Sequence, residues 1–331
     1  MDNLRHLIDI PHIWTRFEEV ERRLLELSSS ENQYTTDISQ HLLRAGGKRL
    51  RPLLALLASN LGPADDRRAV EAAAAVELIH MGSLYHDDVI DESDTRRGGP
   101  SVNANWNNTL AVLGGDFLIS RGSEVAATYL DIESVRMLAV TYTELVEGQT
   151  LEFRLIGRLD HDLSLYRKLI DQKTASLIRT SAYVGARAGD ASADVVETLT
   201  LWAFELGRVF QIADDALDLV ATTDLLGKPT GADIREGTFT LPVLLAARGK
   251  EGPRIVELLG RPPPYREDAV EEVIGLVNEG GYVDQALSVA LEHAAVASQA
   301  LAGLAVSETT GVLDRMGGYL IERVEAARQA L

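Results

Sequence analysis

HMGSLYHDDVIDESDTRRGGPSVN, running from His80 to Asn103, opens on the end of a helical pattern and packs Asp87, Asp88, Asp91, Glu92 and Asp94 into eight positions. Arg96 and Arg97 follow, and Gly98, Gly99 and Pro100 stop the helix. On a helix Asp87 and Asp91 stand one turn apart on the same face. Carboxylates so placed repel each other unless a cation sits between them. Oxygen-only ligands suit a hard divalent ion such as Mg2+, which keeps several waters and completes its shell with phosphate oxygens. The two arginines just beyond suit the other oxygens of a diphosphate. For one such segment standing alone, a solvated acidic helix end is the competing reading.

The segment has a second copy. FQIADDALDL, Phe210 to Leu219, repeats the Asp-Asp-x-x-Asp spacing with Asp214, Asp215 and Asp218. Here the charges stand among Ile212, Ala213, Ala216, Leu217 and Leu219, which is a poor surface, and buried carboxylates need partners. Two such helices facing each other would make a cage of six carboxylates around a cluster of Mg2+ ions.

The rest of the chain is consistent with one large helical protein. With 331 residues and 46% hydrophobic content, it can bury a large core in one big domain or two smaller ones. Cysteine is absent, so disulfides, thiolate chemistry and zinc-thiolate sites are excluded. The formal net charge of −18 argues against a nucleic-acid partner and makes any local cluster of bases notable. The N-terminus lacks the pattern of a signal peptide, and no apolar run is long enough to span a membrane, so a cytoplasmic protein is the expectation. Residues 1–30 carry Trp14, Phe17, Val20, Leu24 and Leu27 at helical spacing, a stripe to dock on the body or on a second subunit. From Asp37 a helix runs into Gly46-Gly47-Lys48-Arg49-Leu50-Arg51-Pro52, where bases hinged by glycines can neutralise a diphosphate or simply cap a helix. Further helices are expected over 53–61, 66–92, 104–129, 133–157, 162–188 and 192–220. A loop over 222–240 and a helical C-terminal third complete the chain. No alternating strand pattern of useful length occurs, so the fold class is all-α.

With both acidic segments, GGKRLRP at 46–52, Lys173-Thr174, Gln211 and GTFTLP at 237–242 in this order, the chain resembles the trans-isoprenyl (polyprenyl) diphosphate synthases over nearly its whole length. The resemblance implies a single domain over 1–331, a helical bundle around a deep central cavity, paired as a homodimer. It implies Mg2+-dependent head-to-tail condensation of isopentenyl diphosphate with an allylic diphosphate, farnesyl or geranylgeranyl diphosphate. Lys48, Arg51, His80 and Arg97 match positions holding the diphosphate of isopentenyl diphosphate. Arg96, Lys173, Thr174 and Gln211 match positions at the allylic diphosphate, and Lys228 belongs to the motif Gly227-Lys228-Pro229-Thr230-Gly231-Ala232-Asp233. Asp87, Asp91 and Asp214 match ligands of three Mg2+ ions, with Asp88, Asp215 and Asp218 one step behind them. A second lysine usual in the family is replaced by Thr238, a loss that Arg235 could offset.

A terpene cyclase shares one acidic helix but has no need of GGKRLRP, and a non-catalytic partner subunit predicts eroded acidic motifs. Product length has its own signal. In the family, aromatic residues four or five places before the first Asp close the tunnel early, and here those places hold Ser83 and Gly82. A long-chain product of the kind attached to quinone rings is therefore expected, with geranylgeranyl diphosphate as the alternative. Close helix packing is the other reason for two small residues there.

Overall fold

The computed structural model describes residues 2–63, 66–222 and 229–329. They are almost entirely helical, as the all-α reading requires. Contacts divide the chain into two compact units, one comprising Met1–Tyr142, Leu177–Leu201 and Leu304–Leu313, the other Thr143–Ser176, Trp202–Gly303 and Asp314–Leu331.

The first unit is built on the helix Asp66–Ile90. Ala72, Ala73, Ala74 and Ala75 in its middle are fully buried, and alanine is the cheapest residue to hold in a helix. Small side chains also let neighbours close in: a Cβ on Gly82 would lie 2.6 Å from Ile119 Cγ1 and 2.7 Å from the Gly115 carbonyl of the helix Asn108–Tyr129. The helix Pro11–Leu27 starts with proline in its first turn, where no amide partner is lost. Its stripe of Trp14, Phe17, Val20, Leu24 and Leu27 is buried on this unit, so the N-terminal segment docks on the body. The helix Leu50–Ser59 begins three residues earlier than expected, and Leu53 to Ala58 are all fully buried.

Two local differences have clear causes. The helix expected over 104–129 is broken, because the Asn107 side chain accepts from the Leu110 amide at 2.9 Å and starts a new helix there. After the first acidic motif, Thr95–Arg96 and Gly99–Pro100 pair as a two-residue antiparallel hairpin, the one strand pairing among the described residues. Its central residues Arg97 and Gly98 have φ of 56° and 77°, the signature of a type I′ turn.

In the second unit the helix expected over 162–188 enters as Leu163–Ile170, then passes through a π-helical turn, Asp171–Ala175. The loop expected over 222–240 holds a short helix, Ala232–Glu236, bounded by Gly231 and Gly237 in the left-handed region. The helices Leu241–Ala246, Glu267–Glu279 and Tyr282–Leu301 pack together to form the C-terminal part. No helix among the described residues is long and apolar enough to cross a membrane.

Candidate active site

In the first unit the acidic motif sorts its carboxylates by depth. The Asp91 amide donates to the Asp87 carbonyl at 2.8 Å, so the two residues are one helical turn apart; Asp87 is half-buried and Asp91 exposed. Asp88 is fully buried and takes Arg96 onto Oδ1, with Nε at 2.8 Å and Nη2 at 2.6 Å. Burial raises the Asp88 carboxyl above its ordinary value even against Arg96 and Arg97. Arg96, expected at a diphosphate, is thus held by the acidic helix itself. Sequence reading missed the neighbours of this motif: Tyr142 Oη is 3.4 Å from His86 Nδ1, and His86 Nε2 is 3.4 Å from Asp116 Oδ1.

The basic segment also separates by depth. Gly46 and Gly47 have φ of 84° and 146°, and Arg49 enters the left-handed region to start the next helix. Lys48 is exposed, whereas Arg49 is buried, pairing with Glu77 at 3.1 Å and Glu21 at 2.8 Å and donating to the Leu43 carbonyl at 2.9 Å. Arg49 therefore holds the segment in place. Arg51 Nη1 is 3.0 Å from His80 Nε2, so two residues expected at one diphosphate do meet. Burial lowers Arg51 to about 10, which leaves it charged at neutral pH. Burial and the charges of Arg51, Arg97, Arg49 and Arg96 push His80 well below its usual range. A neutral His80 accepts from Arg51 through Nε2 and carries its proton on Nδ1. The Nε of Arg51 is buried without a hydrogen-bond partner, a donor that an anion would satisfy. Arg97 donates to the carbonyls of Leu42, at 3.0 Å, and Gly46.

In the part of the acidic helix Ala193–Val220 that belongs to the second unit, the sorting repeats: Asp214 is exposed, and Asp215 and Asp218 are buried. Asp215 accepts from Tyr166 Oη at 2.6 Å and Gln211 Nε2 at 2.8 Å, while Gln211 Oε1 accepts from Thr174 Oγ1 at 2.5 Å. Thr174 and Gln211, called together by the sequence, do meet. Tyr166 lies in a segment with no distinguishing pattern and was missed. Burial, then the charge of Asp233, pushes Asp215 well above the usual carboxylate range. Asp218 accepts from the Asp233 amide at 3.2 Å and, through its carbonyl, from Gly231 at 2.7 Å, which anchors the following turn. Asp88, Asp215 and Asp218, which the resemblance places one step behind the ligands, are each buried against their own partners. Lys173 is paired with Glu152. Arg235, one of the two answers offered for Thr238, pairs with Glu267 and donates to the Thr230 carbonyl. Lys228 lies outside the described residues.

Among the described residues, no three His, Asp or Glu side chains converge to hold a metal by themselves. That donor set still fits Mg2+, which binds through one or two carboxylates and takes its remaining oxygens from water and phosphates.

Residues 32–277 match the polyprenyl synthetase family. The chain is 38% identical over 296 residues to a nonaprenyl diphosphate synthase of Mycobacterium tuberculosis, covering 88% of each chain. It is 36% identical over 304 residues to heptaprenyl diphosphate synthase component 2 of Geobacillus stearothermophilus, covering 92% of this chain and 94% of that one. Among solved structures, a polyprenyl synthase from Caulobacter crescentus, complexed with calcium and isoprenyl diphosphate, superposes with a TM-score of 0.89 at 32% identity, covering 97% of both chains.

Proposed function

The chain belongs to the polyprenyl synthetase family, and we propose that it is a Mg2+-dependent, all-trans long-chain polyprenyl diphosphate synthase that adds isopentenyl diphosphate head to tail onto an allylic diphosphate. The observation that carries this reading is the common sorting of the two acidic motifs: Asp87, Asp91 and Asp214 reach solvent while their companions are buried and hydrogen-bonded. Asp87, Asp91 and Asp214 would hold Mg2+, three ions in all, which when bound stabilise the negative charge of the departing diphosphate.

Lys48, Arg51, His80 and Arg97 hold the diphosphate of isopentenyl diphosphate. Arg51 supplies charge and its unsatisfied Nε, and neutral His80 supplies a donor at Nδ1. Lys173, Thr174, Gln211, Lys228 and Arg96 are assigned to the allylic substrate on the resemblance. The Thr174 hydroxyl donates a hydrogen bond to Gln211, which is oriented in turn by Asp215, so the lone pairs of the hydroxyl oxygen face an allylic cation. The allylic C–O bond breaks, the double bond of isopentenyl diphosphate forms the new C–C bond, and the departing diphosphate takes the proton that is lost. No cysteine or histidine nucleophile is needed.

Residues 1–331 are read as one synthase domain in the cytoplasm. A homodimer is supported by the helix Ile132–Leu155, where Val146 and Phe153, two turns apart on one face, are 53% and 63% exposed.

The test is to incubate the purified protein alone with farnesyl diphosphate, excess isopentenyl diphosphate and Mg2+, and to measure product chain length. Long-chain products are expected, and Asp214→Ala should lower kcat/KM by about 4 kcal/mol or more. Products ending at geranylgeranyl diphosphate would select the shorter-chain alternative. No consumption of isopentenyl diphosphate would overturn the proposal in favour of a non-catalytic partner subunit.

A further inference from the structure

Lys173 and Thr174 sit in the π-helical turn Asp171–Ala175. A π-turn inserts one residue into the α-helical ladder, so it persists only where its surroundings hold it. Reverting it to α-helix would rotate the side chains on one side of the insertion by about 100° against those on the other, given 3.6 residues per turn. Lys173 and Thr174 would then point elsewhere.

Three contacts from one face of the helix Ala193–Val220 hold the turn. A Cβ on Gly207 would lie 2.5 Å from Ala175 Cα, so the two backbones meet where only glycine fits. Arg208 grips Asp171 with two parallel bonds, Nε to Oδ1 at 2.6 Å and Nη2 to Oδ2 at 2.8 Å. Gln211 accepts from Thr174 at 2.5 Å. Positions 207, 208 and 211 share a helix face.

Arg208 is itself braced. Its Nη1 donates to Glu205 Oε1 at 2.9 Å, and its guanidinium lies over the Phe204 ring at 4.5 Å. The other oxygen of Glu205, which is buried, is 2.6 Å from His293 Nδ1 on the helix Tyr282–Leu301. A planar fork fixed at both ends gives a defined geometry that an exposed ion pair does not.

We propose that Arg208 is a positioning residue: its two-pronged grip on Asp171, braced by Glu205 and His293, sets the turn that presents Lys173 and Thr174 to the allylic diphosphate. This rests on the reading of Lys173 and Thr174 as allylic-substrate residues. A purely stabilising ion pair would change the melting temperature and leave substrate selectivity alone.

The experiment measures KM for both substrates, kcat, melting temperature and amide hydrogen exchange over residues 170–176. It is run on the full chain and its variants Arg208→Leu, Arg208→Lys, Asp171→Asn and Lys173→Ala. Arg208→Leu and Asp171→Asn should raise the allylic KM about tenfold or more and leave the isopentenyl KM within about twofold, since small displacements of positioning groups are costly. Arg208→Lys should recover part of the loss, because an ammonium keeps the charge without the fork. The double variant Arg208→Leu with Asp171→Asn, made alongside, should be no worse than either single one. Exchange should rise in the turn and not across the protein. If Arg208→Leu does not fold, Asp171→Asn, nearly the same size and shape, carries the same comparison. Wild-type allylic KM and local exchange in Asp171→Asn, with only a lower melting temperature, would overturn the proposal. An unchanged allylic KM in Lys173→Ala would instead overturn the reading of Lys173, while exchange in the Arg208 variants still reports whether the grip holds the turn.

Discussion

His80 lies against Arg51 at 3.0 Å, and burial together with the charges of Arg51, Arg97, Arg49 and Arg96 disfavours a proton on its ring. Its folded pKa is therefore below the unfolded value of 6.5, so in acid the unfolded chain takes up a proton that the folded chain refuses. Stability is complete above the unfolded value and falls as pH drops beneath it. Asp88 and Asp215, both raised, act with the opposite sign, since there the folded state holds its protons more tightly. His80→Gln isolates the histidine term: between about pH 7 and about pH 5 its melting temperature should fall less steeply than that of the wild type. Parallel profiles would remove this account. Residue depth is also where sequence reading stops. Lys48 and Arg49 are adjacent bases in one motif, yet one is exposed and the other buried on Glu77, a partner far along the chain.

At the scale of the helix, small residues carry two meanings that spacing cannot separate. Gly82 and Ser83 together suggested an open tunnel, but Gly82 lies against Ile119 and the Gly115 carbonyl, where its lack of a side chain serves close packing. Ser83 stands one turn before Asp87, half-buried, with Oγ donating to the His80 carbonyl at 2.9 Å. The expectation about length therefore rests on Ser83. Two substitutions divide the meanings. Gly82→Ala should destabilise the protein by about 1–3 kcal/mol through overpacking and leave product length unchanged. Ser83→Phe should shorten the products and keep the first condensation. Denaturant unfolding and product extraction on both variants check this; unchanged lengths in Ser83→Phe would mean that the growing chain does not pass that face.

For the whole molecule, Phe153 and Val146 are large apolar side chains exposed two turns apart on one helix face of a chain with a formal net charge of −18. The homodimer proposed above would cover this face. Phe153→Glu should shift the protein to a monomer in sedimentation and lower its activity, with the helix content unchanged by circular dichroism. An unchanged sedimentation coefficient would place the subunit contact elsewhere.

Sequence alone determined the helical class and, through the resemblance its motifs carry, the family whose chemistry the chain is expected to share. Periodicity at 3.6 residues, two Asp-Asp-x-x-Asp segments and a glycine-hinged run of bases are local patterns, and helix hydrogen bonds and same-face neighbours are set by residues only a few positions apart. The tertiary structure shows how deep each member of the motifs lies and what partners the buried ones take. Asp88 is withdrawn by Arg96, Asp215 by Tyr166 and Gln211, and Arg235 by Glu267. Likewise the π-turn under Lys173 has no mark in its own residues, because Gly207 and Arg208, more than thirty positions on, hold it. Burial and ion pairing depend on partners distant in sequence, and a local pattern carries no information about them.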